Sequence, residues 1–327
     1  MHKKFRKRNI GALSIILLVL AIFIALPAPI AFAEVSIAFI SPTEGPVGTV
    51  VSLAGQITTE NGSYKIFFAD NPDPVKAGNA TQREVSDTFI VPNSTRGTHA
   101  VILQDTTTGE NNTADFTIQT KYVIKPVTPP HPKQLQQGHD LEILATITGG
   151  DAKISANITV ADPTNATYFS SITIPIGPDG YGEASKNYPM DFQANAHTFY
   201  VGAYKVALVS FTETLAAANF TVGLTDAVEY HKFQTVHIRA LNYTLTEELK
   251  ITILHEGEEV FNALKHVSAP GGTVTANWTI PANAGLGLYT VNITQISPDV
   301  EKPTPDVQDF EVVPEFFACE VKAFNLD

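Results

Sequence analysis

GLYTVNIT, from Gly287 to Thr294, sets Tyr289, Val291 and Ile293 in alternation with Leu288, Thr290, Asn292 and Thr294. A period of two sends the two sets to opposite faces of a β-strand, one apolar and one mostly polar. The pattern recurs in GAYKVALV from Gly202, with Tyr204, Val206 and Leu208, and in GTHAVILQ from Gly97, with His99, Val101 and Leu103. A short closing strand follows each: DFTIQ at Asp115, NFTVG at Asn219 and DFEVV at Asp309, with 19, 18 and 23 residues from Gly to Phe. One hairpin written three times, in a chain long enough for three domains of about 100 residues each, predicts three tandem β-sandwiches.

Within each hairpin a glycine stands two residues before a ring. Gly lets the chain turn tightly into the strand, and a Tyr at that position can bury its ring while the hydroxyl reaches a backbone partner. His99 fills the same slot in the first copy, and nothing in the sequence singles it out for catalysis. Other strands alternate in the same way: Val35, Ile37 and Phe39; Leu141, Ile143, Ala145 and Ile147; Val236 and Ile238; Leu249, Ile251 and Ile253. Gly177-Pro178-Asp179-Gly180 and Ala269-Pro270-Gly271-Gly272 supply turns. No amphipathic helix is legible beyond the first residues, so the fold class is all-β. The boundaries fall at 34–120, 121–224 and 225–315, with a tail over 316–327. The Pro-rich stretch Lys125 to Gly138 opens the second unit as an extended edge segment, with a loose joint near Pro129 and Pro130. A stiffer joint is expected at GLTDAVEYHKF.

Five Lys and Arg precede an apolar run from Ile10 to Leu26, and Ala31-Phe32-Ala33 precedes Glu34. That is a secretory signal over 1–33 cleaved between Ala33 and Glu34, or an uncleaved anchor, the one route by which the chain would touch a membrane. Without those five basic residues, 16 Lys and Arg face 33 Asp and Glu, a formal charge of −17. Such a surface repels phosphate backbones and argues against nucleic acid as a partner. The single cysteine, Cys319, rules out an intrachain disulfide. Ten N-x-S/T triplets occur, about three times the number expected from independent occurrence of these residues. Their acceptors are Asn61, Asn79, Asn93, Asn111, Asn157, Asn165, Asn219, Asn242, Asn277 and Asn292. At Asn157, Asn219, Asn242, Asn277 and Asn292 the middle residue is apolar, which on a strand turns the Asn outward.

Three family resemblances follow from these residues. ISPTEGPVGTVVSLAG, Ile40 to Gly55, with FIVPNSTRGTHAV, Phe89 to Val101, resembles IPT/TIG-type immunoglobulin-like domains over Val35 to Thr120. That resemblance implies an interaction or structural module without catalytic residues. EYHKFQTVHIRAL, LKITILHEGEEVFNAL and VTANWTIPANAGLGLYTVNIT together resemble a macroglobulin-type or bacterial immunoglobulin-like domain. It lacks the Cys-containing motif on which thioester chemistry depends. FEVVPEF at Phe310 resembles the element that precedes the C-terminal anchor in archaeal surface proteins, although FACEVKAFNLD after it is too short and polar to span a bilayer.

Sites for chemistry are few. HEGEE, His255 to Glu259, lacks the second His of a zinc-protease motif and reads as a solvated hairpin turn. His231 and His237 lie about 20 Å apart on an extended chain, too far for one metal ion. Asp70-Asn71-Pro72-Asp73 and the Asp299 to Asp306 loop gather oxygen ligands that could suit calcium, and ordinary Asx turns look the same. The sequence therefore points to a non-enzymatic extracellular or cell-surface protein of structural or adhesive type, without catalytic, cofactor or metal residues. Its expected partners are cell-envelope proteins or glycans. A recognition module for a peptide, polysaccharide or envelope complex, and an accessory subunit of an extracellular hydrolase, are the alternatives.

Overall fold

The computed structural model describes residues 34–315 apart from 70, 245–246, 268–270 and 298–301. The signal segment, the 316–327 tail with Cys319, and Asp70 and Asp299 lie outside the described residues. Among the described residues every regular element is a strand.

One strand order occurs three times. In the first copy β1 (Ser36–Ser41), β3 (Val50–Gln56) and β6 (Glu84–Ile90) form one sheet. The other sheet runs β2 (Glu44–Gly45), β8 (Asn111–Ile118), β7 (Gly97–Asp105), β4 (Ser63–Phe68), β5 (Lys76–Asn79). In the second, β9 (Lys121–Pro126), β11 (Leu141–Thr148) and β14 (Gly182–Tyr188) form the smaller sheet. The larger is β10 (Leu135–Gln136), β16 (Glu213–Gly223), β15 (Gly202–Ser210), β12 (Ile154–Ala161), β13 (Thr167–Ile174). The third has β18 (Thr235–Ala240) paired with β21 (Val274–Thr279). Its larger sheet is β17 (Glu229–Tyr230), β23 (Asp306–Val312), β22 (Gly287–Ser297), β19 (Glu248–His255), β20 (Glu258–His266). Each time a two-residue strand near the start lies parallel to the last strand. Elsewhere the neighbours within these sheets are antiparallel, and β1 and β9 join the opposite sheet. A first strand divided between two sheets in the first two copies, with the same larger-sheet order in all three, makes the domains immunoglobulin-like.

The chain gathers into two compact units. The smaller is built mainly from Val50–Val91 and His99–Phe116, and the larger from Thr117 onward with the short segments Glu44–Thr49 and Pro92–Thr98. The larger unit holds two separate apolar cores. One joins Ile143, Ile158, Tyr188, Tyr204 and Phe220 of the second copy. The other joins Val236, Ile251, Trp278, Tyr289 and Phe310 of the third. Both cores draw on the period-two residues of facing sheets, where burial of a large apolar side chain contributes about 1.5–3 kcal/mol.

The recurring hairpin explains the recurring sequence. Gly97, Gly202 and Gly287 open β7, β15 and β22 at φ 126°, 132° and 112°, a region that side chains resist. Two residues on, Tyr204 and Tyr289 are 0% and 1% exposed. Tyr289 donates its hydroxyl to the carbonyl of Gly285 at 2.9 Å, and Tyr204 does so to Tyr200 at 3.2 Å. These are tyrosine corners, which staple the strand to the loop that feeds it. The recurring Phe lies directly across the hairpin: Tyr204 stacks on Phe220 at 4.9 Å and Tyr289 on Phe310 at 5.5 Å. In the first copy Phe68 stands between the equivalent rings, 5.6 Å from the half-buried His99 and 6.0 Å from Phe116.

Three expectations are corrected. Val35, Ile37 and Phe39 do not share one face, because the β1–β3 register shifts between Ile37 and Phe39. The bulge turns Phe39 out, 54% exposed, and brings Ile40 in. Pro129 and Pro130 do not form a joint; they lie on the crossover from β9 to β10, where Lys133 donates its amide to Pro130. Asn242 is not on a strand. It sits at φ 67° in a loop that Tyr243 ties to Gly272 through its amide, with Tyr243 still facing inward.

Two measurements test this description. Tyr289→Phe should lower stability by about 1 kcal/mol, the worth of one hydrogen bond, in denaturant unfolding. Asp105, fully buried, accepts amide hydrogen bonds from Thr59, Thr107 and Thr108. Burial pushes its pKa up, but these donors outweigh burial and hold the carboxyl below its ordinary value. A depressed carboxylate stabilises the fold above its unfolded pKa of about 4 and loses that contribution as pH falls through the folded value. Stability should therefore drop through that acid window, and Asp105→Asn should remove the drop while costing about 1–3 kcal/mol at neutral pH.

Candidate functional site

Within the larger unit β16 ends at Gly223 and β17 begins at Glu229, leaving no free linker between the second and third sandwiches. Three glutamines at the start of the second sandwich reach across this joint. Gln134 Nε2 donates to the Thr225 carbonyl at 2.9 Å and to Thr225 Oγ1 at 2.7 Å. Gln136 Nε2 donates to the carbonyls of Leu224 and His237, both at 2.9 Å. Gln137, 0% exposed, donates to Asp306 Oδ1 at 2.8 Å and accepts from the Leu241 amide at 2.8 Å. From the third sandwich Gln308 Oε1 accepts from the amides of Leu224 and Thr225, and its Nε2 donates to Thr225 Oγ1 at 2.7 Å. A Cβ on Gly223 would lie 2.6 Å from both Gln134 Nε2 and Gln308 Oε1, so only glycine lets the two amides close over the strand end. Backbone bonds add to them: Val228 donates to Pro132, Gln137 to Gly223 and Gln134 to Asp226.

A buried polar centre lies behind Gln137. Asp306, whose side chain is 0% exposed, faces Lys302 Nζ at 2.6 Å and accepts the Tyr243 hydroxyl at 2.6 Å. Lys302 Nζ also donates to the Leu241 carbonyl and lies 3.9 Å from the Tyr243 ring centroid. Burial pushes the Lys302 pKa down against the pull of Asp306, and burial with the Asp306 charge drives that of Tyr243 up. Glu247 is 2% exposed, and its Oε2 has no partner among the described residues. An open cleft of about 500 Å³, lined by Tyr243, Asn292, Lys302, Pro303, Pro305 and Asp306 among others, leads to this centre.

The residues singled out in the sequence fall elsewhere. Nine of the ten sequon asparagines are exposed and Asn292 is half-buried, so none is sealed in a core. Asn157, Asn219, Asn277 and Asn292 stand on strands, their middle residues buried. Asn165 tops a turn organised by the buried Asp162, which accepts from the amides of Thr164 and Ala166. Asn61, Asn79, Asn157 and Asn277 already bond the Gln82 amide, Ser63, Ser171 and His237. His255 and Glu258 pair across the β19–β20 turn at Glu256 and Gly257, and the His255 ring stacks on Tyr289 at 4.2 Å. Among the described residues no cluster of three His, Cys, Asp or Glu could hold a metal ion. Asp306, considered above as a calcium ligand, instead spends both oxygens on Gln137, Tyr243 and Lys302.

The joint itself was not legible in KQLQQG, because an isolated glutamine in a Pro-rich run carries the same signal as a solvated linker. The spacing Gln134, Gln136, Gln137 immediately before Gly138 was its one trace.

No family model matches the sequence, and no curated protein matches it. Among solved structures, a tetra-tandem repeat from the extending region of a large adhesion protein is 18% identical, over 86% of this chain and 74% of that one, with a TM-score of 0.25. The titin I-band fragment I67–I69 is 10% identical, over 88% of this chain and 100% of that one, at 0.23. The alpha-2-macroglobulin of E. coli is 9% identical at 0.24, and the match covers 88% of this chain but only 22% of its own. Superpositions of that quality carry no argument, and the fold rests on the strand order and the tyrosine corners.

Gln137→Ala should strand the Leu241 amide and Asp306 Oδ1, at about 1–3 kcal/mol for each orphaned group. Trp278, the single tryptophan, sits in the third core, so its fluorescence in a denaturant series should report the loss directly.

Proposed function

We propose that the chain is a non-enzymatic, extracellular or cell-surface structural protein of adhesive type, made of three tandem immunoglobulin-like modules over 34–120, 121–224 and 225–315. The observation that supports this reading most is the joint at Gly223. A flexible tether needs no buried hydrogen bonds between its domains, whereas a spacer that must keep its neighbours in register does. Gln134, Gln136 and Gln137 supply such bonds from one sandwich to the next.

Export through residues 1–33, an archaeal source, an IPT/TIG-like first module and a macroglobulin-like third belong to the same reading. The ten sequons then carry N-linked glycans on an acidic surface that meets envelope proteins or other glycans. Recognition by loops has its own support: Phe211, at the tip of the β15–β16 hairpin, is fully exposed, and Phe233 is 70% exposed. A recognition role through loops would use such rings, although single exposed hydrophobics are also common on ordinary surfaces.

Glycopeptide mass spectrometry of the native protein tests the reading. Expected are a start at Glu34 and glycans on the exposed acceptors, with higher occupancy at Asn111, Asn165 and Asn219 than at the half-buried Asn292. A start at Met1 with all ten sites bare would overturn export and glycosylation together. Co-purification from cell envelopes, compared between the native chain and Phe211→Ser, separates a structural role, indifferent to the change, from recognition, which the change abolishes.

A further inference from the structure

Lys302 and Asp306 are buried together, their side chains 8% and 0% exposed, with Nζ 2.6 Å from Oδ2. An ion pair withdrawn so far from water incurs a large desolvation cost. Here the surroundings do more than offset charge. Asp306 Oδ1 accepts from Gln137 Nε2 at 2.8 Å and Oδ2 from the Tyr243 hydroxyl at 2.6 Å, so donors hold both carboxyl oxygens and polarise Cγ. Lys302 is kept against the carboxyl by the Leu241 carbonyl and the Tyr243 ring. Nearby, Glu247 is 2% exposed, acts electrostatically on both Lys302 and Tyr243, and leaves Oε2 unpartnered among the described residues. Its charge acts on Lys302, and a side-chain rotation that brings the free oxygen to Nζ would let it carry a proton.

We propose that Lys302 and Asp306 join through an isopeptide bond formed after folding, with Glu247 relaying the proton. The starting pair is an ammonium and a carboxylate. One proton moves from Nζ to the Asp306 carboxyl by way of Glu247, leaving an amine and an acid. The amine lone pair attacks Cγ to form the Nζ–Cγ bond while Gln137 holds Oδ1. A second nitrogen proton passes to Oδ2, the Cγ–Oδ2 bond breaks, and one water leaves toward the open cleft. Lys302 and Asp306 lose their three-proton ammonium and their carboxylate and become one amide N–H, one carbonyl and H₂O, with no oxidant or cofactor. Burial favours this course twice: it disfavours the charged lysine, and it replaces two buried charges with a neutral amide. Fixed proximity of amine and acid supplies the orientation that such a condensation lacks in solution. The product locks the loop before β23 to the strand that receives Gln137, and it stands apart from the structural or adhesive role proposed above.

The test is made on the full chain, folded and purified from a host that adds no glycans. A glutamate-specific protease cuts after Glu301 and Glu311, releasing residues 302–311 as one peptide. The expected peptide is one water lighter than its sequence and yields no fragment ions from breaks between Lys302 and Asp306, because that segment is a closed ring. A peptide of full mass overturns the proposal. So does a water loss that leaves those bonds cleavable, which marks a succinimide at Asp306 instead. Lys302→Arg should give the full mass in the corresponding peptide. Glu247→Gln should slow the water loss at least tenfold after refolding, and an unchanged rate removes Glu247 from the reaction. The wild-type peptide decides the bond itself even if either variant fails to fold.

Discussion

The architecture depends on a ring held against a ring across one hairpin. Tyr204 on Phe220 and Tyr289 on Phe310 each fill the middle of a core, and each tyrosine is fastened by its hydroxyl to the loop four residues upstream. With the ring fixed, the strand has no freedom of register: a slip by one residue would carry Val206 and Leu208, or Val291 and Ile293, to solvent. The glycine before it makes the entry angle possible. Pairing, burial and turn chemistry thus agree at one place in the second and third sandwiches, and the neighbouring strands are arranged around it.

That agreement is why so much of the fold could be read from residues alone. Glycine, ring and alternating valines form a local signal, and local signals survive without knowledge of the partner strand. Asn219 and Asn277 likewise face outward because Phe220 and Trp278 face in. The misreadings arose where geometry is decided at a distance. Phe39 obeys the alternation in sequence, but a bulge against β3 reverses it. Asn242 lies next to an inward Tyr243 and has the same phase as a strand, yet a backbone tie to Gly272 bends the chain into a loop.

The joint was hidden for a related reason. Buried amides are recognised by what they bond, and the partners of Gln137 lie 104 and 169 positions away along the chain. Nothing near KQLQQG announces Leu241 or Asp306. The same holds for the acidic loop before β23: its carboxylates suggest cation ligands until Lys302 and Tyr243 are seen to have taken the Asp306 oxygens. Polar residues that become interior through tertiary pairing keep a surface-like appearance in the sequence, and here they connect one sandwich to the next.

The parallel pairing of β10 with β16, and of β17 with β23, has a mechanical meaning. Where the entering and leaving strands run side by side in the same direction, a pull on the two chain ends slides one along the other. All the hydrogen bonds of the pair then share the load together, whereas an antiparallel hairpin pulled from its open end surrenders them one at a time. A module stitched in this way resists stretching far better than its modest number of terminal bonds suggests.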